Sequence, residues 1–338
     1  MIKNIVIKIF LKNKIGIFIL DLFGKLFLII RKNEKYLHYK SLIFSLNYKK
    51  SDLVLKSGIE NSKFTLINEG LYEYKYFNFF FLNNMLSSIL YVLSEGYYPI
   101  IKLKERQENW TDWDTFFEQP FNCKLNVENL PVCNVKTGNL KFLFTTPYNE
   151  VELKVWCKLY KDFVVFNPKT KAYIESEYKK LLYPHKRVLG VLSRGTDYVK
   201  LKPKYHPIQP NIEDLIKLSR IKMKELNLEY IYLATEEKKI VDIFEKKFPG
   251  KILINERSYY DEIYYKNNLK ILDQINFNRE KDNYFKGLEY LSSIYLLSKC
   301  SALIAGNCGG SCAALYMNNM EFEYWKLFNL GFYGVDEI

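Results

Sequence analysis

Histidine is nearly missing from this chain, with three residues among 338. Six cysteines stand at 123, 133, 157, 300, 308 and 312, and no two of them form a C-x-x-C pair. Zinc sites need clustered Cys and His, and disulfide scaffolds need dense cysteine in short secreted chains, so neither is expected here. Cys308 and Cys312 have one-turn helical spacing, which small buried thiols explain. A reducing, cytoplasmic compartment is the expectation. Also lacking is an apolar run of the ~20 residues that cross a bilayer. The best candidate, IGIFILDLFGKLFLII at 15–30, is broken by Asp21 and Lys25 and has no small-residue cleavage site. With Lys3, Lys8, Lys12 and Lys14 ahead of it, segment 1–30 has two readings. One is a basic amphipathic helix lying on the cytoplasmic face of the inner membrane; the other is a helix packed on the N-terminal domain. Neither an RNA-binding motif nor a basic–aromatic platform is present, so nucleic acid is not an expected partner.

Apolar residues are plentiful, 48% of the chain against 26% charged, which supports a real core. The length suggests two domains sharing a cleft. A net charge of +12 favours anionic partners, among them phosphorylated donors and acidic lipid headgroups, beside the plainer reading of a basic surface spread over the molecule.

The two halves differ in pattern. Residues 1–180 are aromatic and irregular, with a helix expected near 78–95 and a strand at 98–103. Residues 181–338 are regularly punctuated. Apolar runs at 187–193, 228–234, 251–254 and 302–305 read as buried strands, separated by helical patterns at 211–226, 236–248 and 284–299. Strands alternating with helices imply a doubly wound parallel sheet, which binds ligands at the carboxyl ends of its strands.

Three such ends carry suggestive residues. The first is Ser193-Arg194-Gly195-Thr196-Asp197-Tyr198, where Gly195 permits a sharp turn and Arg194 offers a planar fork of donors to two phosphate oxygens. Asp197 is placed to hold that guanidinium or to cap a turn. The second is Ala234-Thr235-Glu236-Glu237, where Thr235 is expected to N-cap the next helix with acids in its first turn, or to present a hydroxyl or carboxylate to a ribose or phosphate. The third is Gly306-Asn307-Cys308-Gly309-Gly310-Ser311, whose Gly-Gly-Ser opens a helix and makes an anion site from backbone N–H groups. Separately these are a surface loop, a helix cap and a packing glycine; together they describe a diphosphate pocket.

These segments resemble the three peptide motifs shared by the α-1,2-, α-1,6- and protein O-fucosyltransferases, and bacterial relatives that carry RGTDY. Arg194, Asp197 and Tyr198 match the first motif, roughly H-x-R-R-(G/T)-D, and His206-Pro207-Ile208 matches an H-P-I at the same offset in the α-1,6 enzymes. Ala234-Thr235-Glu236-Glu237 matches the A-T-D-D ending the second, and Leu297-Ser298-Lys299-Cys300 through Ser311 matches the third. The resemblance implies a GT-B-like α/β fold, two Rossmann-like domains facing a cleft, with domains at 1–180 (acceptor side) and 181–338 (nucleotide-sugar side). It further implies a metal-independent, inverting transferase using GDP-fucose, with no other cofactor, Arg194 on the β-phosphate and Ser311 hydrogen-bonded to donor phosphate. Donor contacts are then expected from Ser193, Gly195, Thr196, Tyr198, Thr235, Glu236, Asn307, Gly309, Gly310 and Ser311.

The chain departs from the motifs in places. Leu192 replaces the motif histidine, Gly195 the second arginine, and Lys202 the glutamate proposed as base in the α-1,6 enzymes; the acidic guanine contact falls at Ser293, with Glu289 one turn earlier. His206 is therefore the first candidate for the general base that takes the acceptor proton, with Asp112, Asp114 and Glu118 as acceptor-side alternatives. Asp112-Trp113-Asp114 also fits the D-x-D of metal-dependent GT-A transferases. A third reading is a binding module that keeps the nucleotide fold without turnover. The expected partners are a nucleotide-sugar and a glycan or lipid-linked glycan acceptor, in bacterial surface polysaccharide or lipopolysaccharide synthesis.

Overall fold

The computed structural model describes residues 34–57, 63–67, 76–103, 112–121, 129–133, 144–185, 187–267 and 275–334. Segment 1–30, with its expected amphipathic helix, lies outside them. Among the described residues no helix is long and apolar enough to cross a membrane. The chain divides into two compact units: residues 1–73, 80–105 and 118–165, and residues 74–79, 106–117 and 166–338.

The first unit contains α1 (Glu34–Asn47), α2 (Lys50–Ser57), β1 (Phe64–Ile67), α3 (Phe79–Ser94), β2 (Tyr98–Ile101) and α4 (Glu150–Phe163). β1 and β2 pair in parallel, Phe64 opposite Tyr98 through Ile67 opposite Ile101, and Leu66 bridges on to Val132. The end of β2 is closed by a side chain: Gln119 accepts the Ile101 N–H at 2.9 Å and donates to the Ile101 carbonyl at 2.7 Å. α4 starts on an Asn149 side chain that accepts from Val151 and Glu152 N–H, and buries Val155, Trp156, Leu159 and Phe163 on its inner face. Tyr48 and Tyr160 carry their hydroxyls into this core and satisfy them on Asp162 and Asn83.

The second unit holds α5 (Pro168–Leu181), β3 (Val188–Leu192), α6 (Thr196–Leu201), α7 (Ile212–Glu225), β4 (Tyr230–Ala234), α8 (Lys238–Lys247), β5 (Ile252–Leu253), α9 (Asp261–Lys266), α10 (Asp282–Ser298), β6 (Ala302–Gly306), α11 (Gly309–Met317) and β7 (Tyr324–Phe328). Its strands form one parallel sheet in the order β5-β4-β3-β6-β7. β3 and β6 are buried along their whole length, as strands covered on both faces must be. α10 lies so close to β3 that a Cβ at Gly190 would stand 3.1 Å from a Leu297 methyl and 3.2 Å from the Cys300 Cβ. The other face packs Leu215, Ile216 and Met223 of α7 with Ile240, Val241 and Phe244 of α8 against Leu189, Val191, Ile231, Leu233 and Ile304.

The fold class is α/β with parallel pairing in both units and a doubly wound sheet in the second. Its strands fall where the apolar runs predict, with one addition. β7 was not expected, because an edge strand reading Tyr-Trp-Lys-Leu-Phe buries only Leu327 and shows no apolar run.

Candidate functional site

β3 lies between β4 and β6, with Leu192 opposite both Ala234 and Ala305, so the three expected loops leave adjacent strands at one height. From β3 the chain moves outward through β4 to β5, then returns to the other side of β3 for β6 and β7. The connections therefore diverge between β3 and β6, and such a switch point opens a crevice at the carboxyl edge. Arg194 follows one of these strands, and the glycine loop follows the other.

The Arg194 loop is held by the β4 loop. Arg194 Nε lies 3.5 Å from Glu236 Oε1, and the same oxygen accepts the Gly195 N–H at 3.0 Å. The guanidinium carbon sits 4.7 Å from the centre of the Tyr198 ring. A Cβ at Gly195 would run into the Glu237 carboxylate, so that side chain packs directly on the Gly195 backbone. Ser193 is buried and its N–H donates to the Ala234 carbonyl. Thr196 opens α6, but its side chain and that of Asp197 lie outside the described residues.

Two expectations for the β4 loop are corrected. Thr235 does not cap the helix: α8 begins at Lys238 with Glu237 as its N-cap, and the Thr235 hydroxyl accepts the Glu237 N–H at 3.2 Å within the turn. The glutamates therefore precede the helix, both buried, rather than occupying its first turn. Glu236 uses one carboxylate oxygen on Arg194 and the Gly195 N–H, which ties the β4 loop to the β3 loop.

At the third loop, Cys308 is the N-cap of α11. The Ser311 hydroxyl accepts the Cys308 N–H at 2.9 Å and donates to the Cys308 carbonyl at 3.0 Å, with Ser311 fully buried. Ser311 thus closes a capping box and shapes the helix start from beneath. Asn307 is also turned inward, its side-chain oxygen accepting from the Cys312 thiol and its carbonyl from Gln209 Nε2 at 2.9 Å. Gln209 comes from the loop after α6, which crosses the end of β6 closely enough that a Cβ on Gly306 would lie 2.1 Å from Gln209 Oε1. Gly309 is half-buried at the helix N-terminus, and Gly310 lies under the Tyr290 hydroxyl, 2.8 Å from where its Cβ would be. The first-turn amides of a helix have no partner within it and carry the positive end of its dipole. Burial, and then the neighbouring Cys308, push the Tyr290 hydroxyl well above the usual phenol range, while Arg194 pulls the other way.

His206 meets the Tyr198 ring edge-on, centroids 5.4 Å apart, so Arg194, Tyr198 and His206 form one contiguous group. Its Nδ1 lies 3.2 Å from the Lys204 carbonyl, and the 205–208 backbone is clasped by hydrogen bonds with Gly331 and Tyr333. Of the acidic alternatives, Asp112 and Asp114 belong to the second unit and Glu118 to the first. Asp112 caps a short 3-10 turn by accepting the Trp113 N–H at 2.7 Å, while the Asp114 carbonyl accepts from Asn167. Among the described residues no group of three or more His, Cys, Asp or Glu is gathered to hold a metal.

Sequence reasoning missed Tyr290, Gln209, the packing role of Glu237 and the residues that follow β5. Only the last had a signal. The strand-end rule applies equally to β5, and there Asn255 and Arg257 approach α10: Tyr232 donates to Asn255 Oδ1 at 2.8 Å, and Arg257 Nη1 lies 3.5 Å from Ser293 Oγ. Glu289 is buried, bound to Arg279 and to the Ser258 N–H, so its carboxylate is committed inside the fold.

The chain is similar to solved fucosyltransferases. The α-1,6-fucosyltransferase NodZ, in crystals soaked with GDP-fucose, shares 13% identity over 75% of this chain and 92% of that chain, with a TM-score of 0.43. A selenomethionine form of the NodZ fucosyltransferase from Bradyrhizobium shares 13% over 81% and 97%, with a TM-score of 0.44. POFUT1 without ligand shares 11% over 63% of this chain, which spans 57% of that longer protein, with a TM-score of 0.38. No protein-family model and no curated protein sequence matches the chain. Sheet order and site geometry stand independently of these overlaps.

Proposed function

We propose that the chain is a glycosyltransferase that holds a nucleotide-diphosphate sugar at the switch point of the second unit's sheet, with GDP-fucose as the favoured donor. The acceptor is a glycan hydroxyl in bacterial surface polysaccharide or lipopolysaccharide synthesis, reached at the cytoplasmic face of the inner membrane. One observation carries the reading: Arg194, fixed along one edge by Glu236 and on one face by Tyr198, stands at the end of the strand next to the Gly309-Gly310 helix start.

The chemistry follows from that placement. When the bond between the sugar C1 and the diphosphate oxygen breaks, its electron pair stays on the leaving group, and negative charge grows there. A guanidinium positioned before the ligand arrives, with helix N-terminal amides beside it, stabilises that charge without reorganising. The acceptor oxygen bonds to C1 from the opposite face, inverting the centre, and gives its proton to a base. His206 takes this role in our reading, since it shares the Tyr198 ring with Arg194. Charge neutralisation by protein groups alone makes the reaction metal-independent.

Donor hydrolysis with and without EDTA, paired with calorimetry on GDP and UDP, tests the whole. Turnover that survives EDTA is expected. EDTA-sensitive turnover would return attention to Asp112 and Asp114, and tight binding with no turnover on any nucleotide-sugar of a broad panel would leave a binding module.

A further inference from the structure

The carboxyl edge of the second unit's sheet holds another arginine. Tyr232 pairs with Leu253, so Arg257 and Glu236, each four residues further on, leave their strands at the same height. Leu192 pairs with Ala234, which puts Glu236 level with Arg194 in the same way. The β5 loop is tied to the site directly, because the Tyr260 N–H donates to the Glu236 carbonyl at 2.8 Å. Arg194 and Arg257 thus start from one edge, two strand spacings or about 10 Å apart.

Arg257 is short of acceptors. Its Nη1 has a long 3.5 Å contact to Ser293 Oγ, and its guanidinium carbon lies 5.9 Å from the Tyr260 ring centre. Its Nε is buried and makes no hydrogen bond. The polar groups of the neighbouring segments engage other partners: Glu289 holds Arg279 and the Ser258 N–H, Glu177 accepts the Glu256 N–H, and Asn255 Oδ1 accepts from the hydroxyls of Tyr232 and Ser293. No carboxylate among the described residues pairs with it. A half-buried guanidinium with an unsatisfied donor is costly until a partner arrives.

We propose that Arg257 binds the base of the donor nucleotide. This rests on the reading of the site as a nucleotide-sugar site. With the diphosphate at Arg194, a nucleoside laid along the edge over β4 brings its base to β5. A planar fork of donors there pairs with an edge that offers acceptors. Guanine presents O6 and N7, and uracil presents its carbonyls; adenine puts an amino donor beside its N7. Arg257 therefore selects oxo bases over adenine, and does so from a strand end outside the loops that hold the phosphates.

The test is calorimetric titration of the wild type, R257A, R257K and R194A with GDP, UDP, ADP and inorganic pyrophosphate, with melting temperatures to confirm folding. The wild type should bind GDP or UDP more tightly than ADP. R257A should weaken that preferred nucleotide about tenfold or more, erase the preference over ADP and leave pyrophosphate unchanged. R257K, which keeps charge without the fork, should show these same changes, and it carries the test if the alanine variant does not fold. Equal losses for nucleotide and pyrophosphate would make Arg257 a phosphate ligand and overturn the assignment, as would unchanged nucleotide affinity. If the wild type binds pyrophosphate but no nucleotide, or binds nothing, the glycosyltransferase reading falls with it.

Discussion

At the amino edge of the second unit's sheet, Arg187 engages the protein with all three of its nitrogens: it grips Glu323 with both terminal nitrogens at 3.0 and 2.8 Å and donates to the carbonyls of Asn227 and Leu226. At the carboxyl edge, Arg194 Nε lies 3.5 Å from Glu236 Oε1 with the guanidinium over the Tyr198 ring, and Arg257 pairs with no carboxylate among the described residues. All three leave or enter the same sheet. An arginine that spends every nitrogen on the protein is a staple between chain segments; Arg257, half-buried and short of acceptors, is ready for a ligand. The contrast follows from geometry, since a parallel sheet converges its helix N-termini and glycine turns at one edge only.

Substitutions can break or sharpen that contrast. The largest effect should come from R194A. Donor hydrolysis should fall about 10²–10³-fold with the melting temperature little changed, as when one preorganised donor to a developing anion is removed. Unchanged turnover would mean that the carboxyl-edge arginines are staples too. H206A should lower kcat about 100-fold while calorimetric affinity for the donor holds, if the histidine takes the acceptor proton. A matched loss in affinity would place it in donor binding instead. G306A asks whether the edge depends on close packing. Its Cβ would meet Gln209 Oε1 at 2.1 Å and Pro210 Cδ at 3.0 Å, so about 1–3 kcal/mol of stability should be lost in denaturant titration, with donor affinity falling as the loop shifts. R187A is the smallest and the control. A largely exposed ion pair contributes about 1 kcal/mol or less, and thermal unfolding should register that while donor affinity stays the same.

Much of the site is legible in the chain because buried strands announce themselves. Runs such as Val188–Leu192 and Ala302–Gly306 are apolar throughout, and the residues after them are where an α/β sheet puts ligands. Edges are harder to read. β7 mixes aromatics with an exposed lysine, and the two-residue β5 gave a strand whose following residues drew no notice. Local rules also misplaced Thr235 and the two glutamates. A Thr-Glu-Glu before a helical pattern reads as a cap with acids in the first turn, and it would be one if Arg194 and Gly195 were not waiting across the strand gap. Ser311 shows the same limit: the sequence offers a serine at a helix start, and only the structure shows its hydroxyl bonded to both the N–H and the carbonyl of Cys308.

The sequence by itself determined the succession from β3 to β6, and with it the three loops that carry Arg194, Glu236 and the Gly309-Gly310 turn, because alternation of apolar runs with amphipathic helices is local information. Only the tertiary structure decided which groups hold which. That Glu236 grips Arg194, that Tyr198 links it to His206, and that Arg257 stands level with them but short of acceptors depend on strand order and register. Those are settled by burial across the whole sheet, and no segment of the chain carries them alone.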